Sequence, residues 1–409
     1  MIFVNIVVQK FGGTSVSTKE RRTQVINKIL QTKQKQKNIV VVVSALGRKG
    51  DAYATDTLRN LLLEENPLCS LKTLDLLMSC GEIISATLLG SALEALGEKV
   101  IVLTGAQAGI LTDDHFSNAE IIAIDEKRSL SYLEKDYIVV VPGFQGATAS
   151  GEVTTLGRGG SDTTATALAV ALNAEYVEIY TDVDGIMTAD PNVVPRARIL
   201  DQVNYNEVFQ MAEKGAKVIH PRAVEIAQKK NIPVNIRNTM SEHPGTRIHS
   251  FTGDKESLYC SQPKKNLLTA ITHKDGISQV SVHMENNLAH DSLLLSTLAE
   301  SKVSIDMINF FLDKKIFTIS TEQINIVQIQ LKKLNFSHEI RTHCSKVTVV
   351  GNRITGIPGV MATIVGALSS EDIQILQSSD SHSTISCLVD ESDAKKAVNA
   401  LHSAFHLDC

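Results

Sequence analysis

The chain has 409 residues, 43% of them apolar and 21% charged, with a net charge of −5. That length suits two or three domains of roughly 100–200 residues each, and the composition argues against a disordered chain. The acidic balance argues against nucleic acid as the principal partner.

The first predicted strand, residues 2–8, runs into Lys10-Phe11-Gly12-Gly13-Thr14-Ser15. Glycines at 12 and 13 let backbone approach an anion, the following helix start favours negative charge, and Lys10 adds a cation, so the turn is suited to phosphate. A tight turn with no ligand uses the same residues. Ser17 with Glu20 reads as a capping box for the helix that follows. Val25, Ile26, Ile29 and Leu30 carry helical spacing, and a strand is predicted over 39–44. Next comes a helix marked by Leu74, Leu77, Met78, Ile84 and Leu88. Glu82 interrupts its apolar pattern beside Gly81, where a ligand or backbone could come close, although a lone Glu in a helix is ordinarily a solvated one.

Strands over 100–103 and 137–141 precede a second glycine-rich segment, Gly157-Arg158-Gly159-Gly160-Ser161-Asp162, which again opens a helix. Arg158 offers a planar fork suited to a carboxylate or phosphate, and the backbone at 159–161 permits close approach. Asp162 stands where a carboxylate is favoured by the helix start, so a capping role is the lesser alternative to a site. A strand over 176–181 ends in Thr181-Asp182-Val183-Asp184-Gly185, at the end of a strand where open parallel sheets bind ligands. The last strand of this region is 233–237. Alternating strands and helices predict an α/β fold with a largely parallel sheet covered on both faces.

From 238 to 268 the pattern turns polar and turn-rich, which marks a boundary. Beyond it lies a weak repeat. One copy runs from Val280-Ser281-Val282 through Leu293–Leu298 to Ser304–Ile308; the other runs from Val347–Val350 through Val360–Leu368 to Asp372–Leu376. A helix from about Ala394 to Ala404 closes the second. The six cysteines, at 69, 80, 260, 344, 387 and 409, show no CxxC spacing and read as reduced thiols of a cytoplasmic protein. The start, MIFVNIVV, lacks the basic region and cleavage site of a secretory signal. No apolar run is expected to reach the roughly 18 residues of a membrane span.

KFGGTSV near the start, SCGE at 79–82, PGFQG at 142–146, GRGGSD at 157–162, TDVDGI at 181–186 and GAKVIHP at 215–221 resemble, in order and spacing, the aspartate kinases of the amino-acid kinase superfamily. GNRITGIPGVMATIVGAL is similar to the second of the tandem ACT modules that such kinases carry. The resemblance implies an amino-acid kinase domain over 1–240, a linker over 241–268, and two α+β ferredoxin-like ACT modules over 269–340 and 341–409. It also implies phosphoryl transfer from ATP, with Mg²⁺, to the side-chain carboxylate of L-aspartate. A carboxylate is already ionised at neutral pH, so no general base is required, and the demand on the site is electrostatic.

The resemblance places Lys10, Gly12 and Gly13 on the phosphates, with Asp162 orienting Lys10 or the Mg-bound phosphates. Arg158 falls on the substrate α-carboxylate and Glu82 on its ammonium, with Ser44, Gly159 and Ser161 alongside. Thr181, Asp182 and the loop to Asp190 fall on the nucleoside, and Lys217 on the phosphates. No all-protein metal cage is expected. Asn287–Leu293 with Ser304, Ile305 and Asp306 would form one wall of an amino-acid effector site, for lysine, meso-diaminopimelate or threonine; Asp306 could equally be a strand-end residue. Homodimers or larger homo-oligomers through the ACT sheets follow from the same resemblance.

The sequence departs from the family pattern at Met187, at Asn192, and in the loop after Ser44, where Thr55 or Thr57 could stand in for a threonine that relatives carry earlier. Two other readings are a kinase for another small acid such as glutamate, which the tandem tail disfavours, and a non-catalytic amino-acid sensor. Retention of Lys10, Glu82, Arg158 and Asp162 disfavours the sensor.

Overall fold

The computed structural model describes residues 5–35, 37–216, 218–250, 268–284, 287–352, 354 and 356–408. They divide into two compact units. The first comprises the described residues up to Ile186, Ile199–Ala212 and 218–250; the second comprises Met187–Arg198, Glu213–Ala216 and those from 268 onward.

The first unit is built on an eight-stranded sheet. Ile6–Phe11 lies between Tyr176–Thr181 and Asn38–Val43, parallel to both. Ile138–Pro142 and Val100–Val102 extend the sheet in parallel on one side, and Val234–Asn238 on the other. The central strands are runs of β-branched residues such as Asn38–Val43, five of whose six residues are buried. That is the pattern of a sheet covered on both faces. Phe11, Val25, Ile29, Val41, Leu89 and Leu93 belong to the core on one side. A second, four-stranded sheet joins Ile121–Ile124, Ile110–Thr112, Gln145–Ala147 and Val153–Thr155. Its strands are only three or four residues long, too short for a periodicity to be read from sequence.

Four expectations need correction. The first strand runs to Phe11 rather than ending at residue 8, so Lys10 stands on the sheet itself. The helix after it, Lys19–Gln34, is capped by Thr18, whose hydroxyl accepts from the Arg21 N–H; Ser17 ends a short helical turn, Gly13–Val16, and donates to the Thr14 carbonyl. The polar stretch after 238 still contributes a strand, Thr246–Ile248, antiparallel to Val234–Asn238, so the first unit continues past residue 240. Helix Leu71–Glu94 is long and apolar enough to cross a membrane by length and composition, contrary to the expectation that no run is. Half of its apolar window is buried inside the protein, and it carries buried Asp75 and Glu82, as suits a core helix.

The second unit has one six-stranded antiparallel sheet. Two long strands, Leu268–His283 and Ser337–Gly351, run side by side through both repeats. The second half of Leu268–His283 pairs with Lys314–Ser320 in the first repeat, while Ala270–Lys274 pairs with residues 346–350 of the second. Ile271 accordingly packs in the second repeat's core with Val347, Ile364 and Leu401. The first repeat has its own core, around Val280, Leu294, Phe317 and Leu331. The chain thus enters the second repeat, builds the first, and returns. The strand anticipated at 372–376 forms instead at Gln377–Ser381, with Asp372 in a positive-φ turn before it. Met187–Arg198 also packs into the second repeat: Ala189 and Val194 join its core, and Thr188 meets His402 at 2.9 Å.

Candidate active site

The carboxyl ends of four neighbouring strands of the first unit converge. The Gly12 N–H donates to the Tyr180 carbonyl, Ser44 N–H to Phe11, and Gly143 N–H to Val43. Four sequence-distant segments are thereby stitched side by side. Gly13 is required by this packing: a Cβ there would lie 2.5 Å from the Ala45 carbonyl oxygen and 2.6 Å from that of Gly47.

Helix Gly160–Ala171 starts at the same end, after Gly159 in the left-handed conformation (φ +69). Its first turn carries Asp162, whose Oδ1 lies 2.6 Å from Lys10 Nζ. The contact is an ion pair whose angles fall outside hydrogen-bond geometry. An ammonium has three N–H groups, and this one contact leaves capacity on Lys10 for an anion. Both side chains are 12% exposed, enough to meet a ligand and sheltered enough to strengthen the field. Gly12 keeps the space beside the ammonium open, since a Cβ there would sit 3.8 Å from Nζ.

Glu82 is 2% exposed. Its Oε1 accepts from the Ala45 N–H at 3.2 Å and the Thr55 hydroxyl at 3.4 Å, and its Oε2 is buried with no partner among the described residues. Burial pushes this carboxyl up to about 8, against the opposing pull of the N–H and hydroxyl donors. A desolvated carboxylate with one orphaned oxygen is suited to a cation that arrives with a ligand. Thr55 is the threonine that reaches this carboxylate. Thr57, on the helix Thr55–Glu65, instead accepts from the Gly50 N–H of the preceding loop.

Arg158 is exposed and lines a cavity of about 530 Å³ with Ser117, Asn118, Leu156, His220 and Arg222. Ser161 is buried, and its hydroxyl lies against Gly143. Thr181 ends its strand and donates to Asp182, whose other oxygen is ion-paired with Arg48. Arg48 went unassigned in the sequence, where its only signal is a basic residue in the loop that follows Ser44. Asp184 accepts from Asn238 at 2.9 Å, which holds the loop after Asp182. Of the remainder of that loop, Thr188 and Ala189 are buried in the second unit; in the first, Asp182 is exposed while Thr181 and Asp184 are half-buried. Lys217 lies outside the described residues.

In the second unit, Asn287 caps helix Leu288–Glu300 by accepting from the Ala289 N–H, Ser304 is exposed, and Ile305 packs on the first repeat's core. Asp306 is not free: Lys346, on the strand shared with the second repeat, ion-pairs with it. Burial works to raise its carboxyl, and the Lys346 hydrogen bond and charge, helped by Lys214, outweigh that and hold it below the usual range.

The amino acid kinase family matches residues 5–238, and the ACT domain matches residues 339–403. Aspartokinase 1 of Bacillus subtilis (strain 168) is 44% identical over 405 residues, covering 99% of this chain and all of that one. The aspartokinase of Geobacillus stearothermophilus is 38% identical over 411 residues, covering 99% and 98%. Among solved structures, Escherichia coli aspartokinase III in complex with aspartate and ADP aligns with a TM-score of 0.80 at 27% identity, covering 98% of this chain and 99% of that one. The same enzyme with lysine and aspartate aligns at 0.73 and 26%, with the same coverage. A likeness that runs the length of the chain, through both the parallel-sheet unit and the paired repeats, makes this chain a member of the aspartokinase family.

Proposed function

We propose that the protein transfers the γ-phosphoryl group of Mg-ATP to the side-chain carboxylate of L-aspartate, giving 4-phospho-L-aspartate and ADP. The observation that carries this reading is the buried, orphaned Glu82 oxygen in the same unit as a Lys10–Asp162 pair on adjoining strand and helix ends. One group is suited to an amino acid's ammonium and the other to phosphate.

Glu82 takes the substrate ammonium, and Arg158 takes the α-carboxylate, so opposite charges orient the zwitterion. Ser44, Gly159 and Ser161 border it. The substrate carboxylate attacks the γ-phosphorus as the bond to the β–γ bridging oxygen breaks; the nucleophile is already ionised, and no proton need move. Lys10 offsets charge on the transferring group, Gly12 and Gly13 receive phosphate oxygens, and Asp162 fixes Lys10. Thr181, Asp182 and Lys217 hold the nucleotide. Mg²⁺ would arrive with ATP and offset phosphate charge, with Asp162 placed to orient Lys10 or the Mg-bound phosphates.

The paired ACT repeats bind an end-product amino acid beside Asn287, Ser304, Ile305 and Asp306, and thereby regulate the kinase. The protein works as a homo-oligomer in the cytoplasm. Supporting this are the two outer strands of the repeat sheet, Asp306–Phe310 and Gln377–Ser381, whose free edges can pair with a second copy, and the free thiols of Cys69, Cys80, Cys344 and Cys387.

The test is ADP release from Mg-ATP with L-aspartate, L-glutamate or no acceptor, with hydroxylamine present to trap an acyl phosphate. Aspartate-dependent hydroxamate is expected. Its absence from a folded, ATP-binding protein would sink the reading.

A further inference from the structure

Helix Leu71–Glu94 carries a second buried carboxylate, Asp75, two turns before Glu82 and on the same face. It is fully buried and accepts four hydrogen bonds from two residues. Its Oδ2 takes the N–H groups of Ser117 and Thr155, both at 2.8 Å, and its Oδ1 takes their hydroxyls at 2.9 and 2.8 Å. These partners are the frame of the Arg158 turn. Thr155 ends the strand that leads into Leu156-Gly157-Arg158. Ser117 holds a positive φ of 68°, a conformation that needs outside support in a residue with a side chain. Asn118, its neighbour, packs against Gly157, where a Cβ would lie 2.6 Å from Asn118 Oδ1. The Ala119 N–H then donates to the Thr155 carbonyl and closes the frame.

We infer that Asp75 is a positioning residue for substrate binding: it fastens the turn bearing Arg158 to the helix that bears Glu82. The inference rests on the assignment of Arg158 and Glu82 to the two ends of the amino acid. Both recognition groups are then referenced to one helix, and their separation is fixed by that helix rather than by a loop. Charged acceptors make the stronger hydrogen bonds, and a buried carboxylate with four donors confines its partners closely. Substrate affinity therefore depends on a residue that never touches substrate.

The test compares initial rates of the full chain, with aspartate and Mg-ATP each varied in turn, for Asp75→Ala, Asp75→Asn, Arg158→Ala and the Asp75→Ala Arg158→Ala double variant. Asn keeps the shape: its oxygen accepts the two N–H bonds and its amide faces two hydroxyls that can turn to accept. Asp75→Ala is expected to raise the aspartate KM about tenfold, with kcat and the ATP KM within twofold. Asp75→Asn is expected to stay within threefold of the parent. In the Arg158→Ala background, Asp75→Ala should add less than twofold, because the group it positions is gone. An unchanged aspartate KM in Asp75→Ala, or multiplication of the two effects, overturns the inference. Should Asp75→Ala fail to fold, the Ser117→Ala Thr155→Val variant, which deletes only the two hydroxyls, must raise the aspartate KM at least threefold or the inference falls. A silent Arg158→Ala marks the other failure: it removes the assignment of Arg158, and the positioning role with it.

Discussion

Asp75 and Glu82 are the same kind of group on the same helix face, both buried, yet one is saturated by four protein donors while the other keeps an oxygen with no partner among the described residues. A buried carboxylate satisfied within the chain stabilises the fold; one left short is poised for a ligand. Burial alone does not distinguish them, because both would look like errors in an apolar helix. The count of donors does.

Lys10 is the hardest challenge to that rule, since it has a partner in Asp162 and is still assigned to the reaction. Lys10→Ala should lower kcat at least about 100-fold if the ammonium offsets charge in the transition state. Near-normal turnover would confine the pair to structure. Glu82→Gln should lower kcat/KM for aspartate by about 50-fold, the cost of a buried charge-assisted bond of roughly 2–3 kcal/mol. Thermal unfolding of this variant should occur no lower than in the parent, because a desolvated ionisable group has been removed. Asp75→Ala should do the reverse, with a clear fall in melting temperature, because buried donors lose their acceptor. If the two variants unfold alike, the contrast between the carboxylates is broken.

The raised Glu82 carboxyl sharpens the comparison through pH. Folding raises this group from 4.5 to about 8, so the folded chain holds a proton that the unfolded chain has released. Its contribution to stability is complete below 4.5 and is lost as pH rises through about 8. An incoming ammonium needs the ionised form, so kcat/KM for aspartate should climb about tenfold per pH unit below 8 and level off above it. Glu82→Gln should flatten that slope; a slope that survives assigns it to another group. The smallest effect is expected at Arg48. Its ion pair with Asp182 is largely exposed, so Arg48→Ala should change the ATP KM less than about threefold and leave the melting temperature unmoved. A large rise in the ATP KM would make Arg48 a nucleotide ligand in its own right.

Much of this was legible in the chain. Alternating β-branched runs and helical spacing gave the parallel sheet, and GGTS and GRGGSD gave the two turns that open helices, because strand burial, glycine conformation and helix starts are local consequences of residue type. The Leu71–Glu94 helix was not legible in this way: its apolar sequence has the length of a span, and its Asp75 and Glu82 are buried only in the folded protein.

The rest depends on groups far apart in sequence. Thr55 rather than Thr57 meets Glu82, Lys10 meets Asp162, and Asp75 meets Ser117 and Thr155. The first half of Leu268–His283 serves the second repeat rather than the first, since register and not sequence order selects its partner. The sequence by itself determined which residues could do chemistry and on which elements they lie. Folding decided which carboxylates are satisfied, which are left for a ligand, and how far each is removed from water, because desolvation and hydrogen-bond partners are properties of an assembled interior.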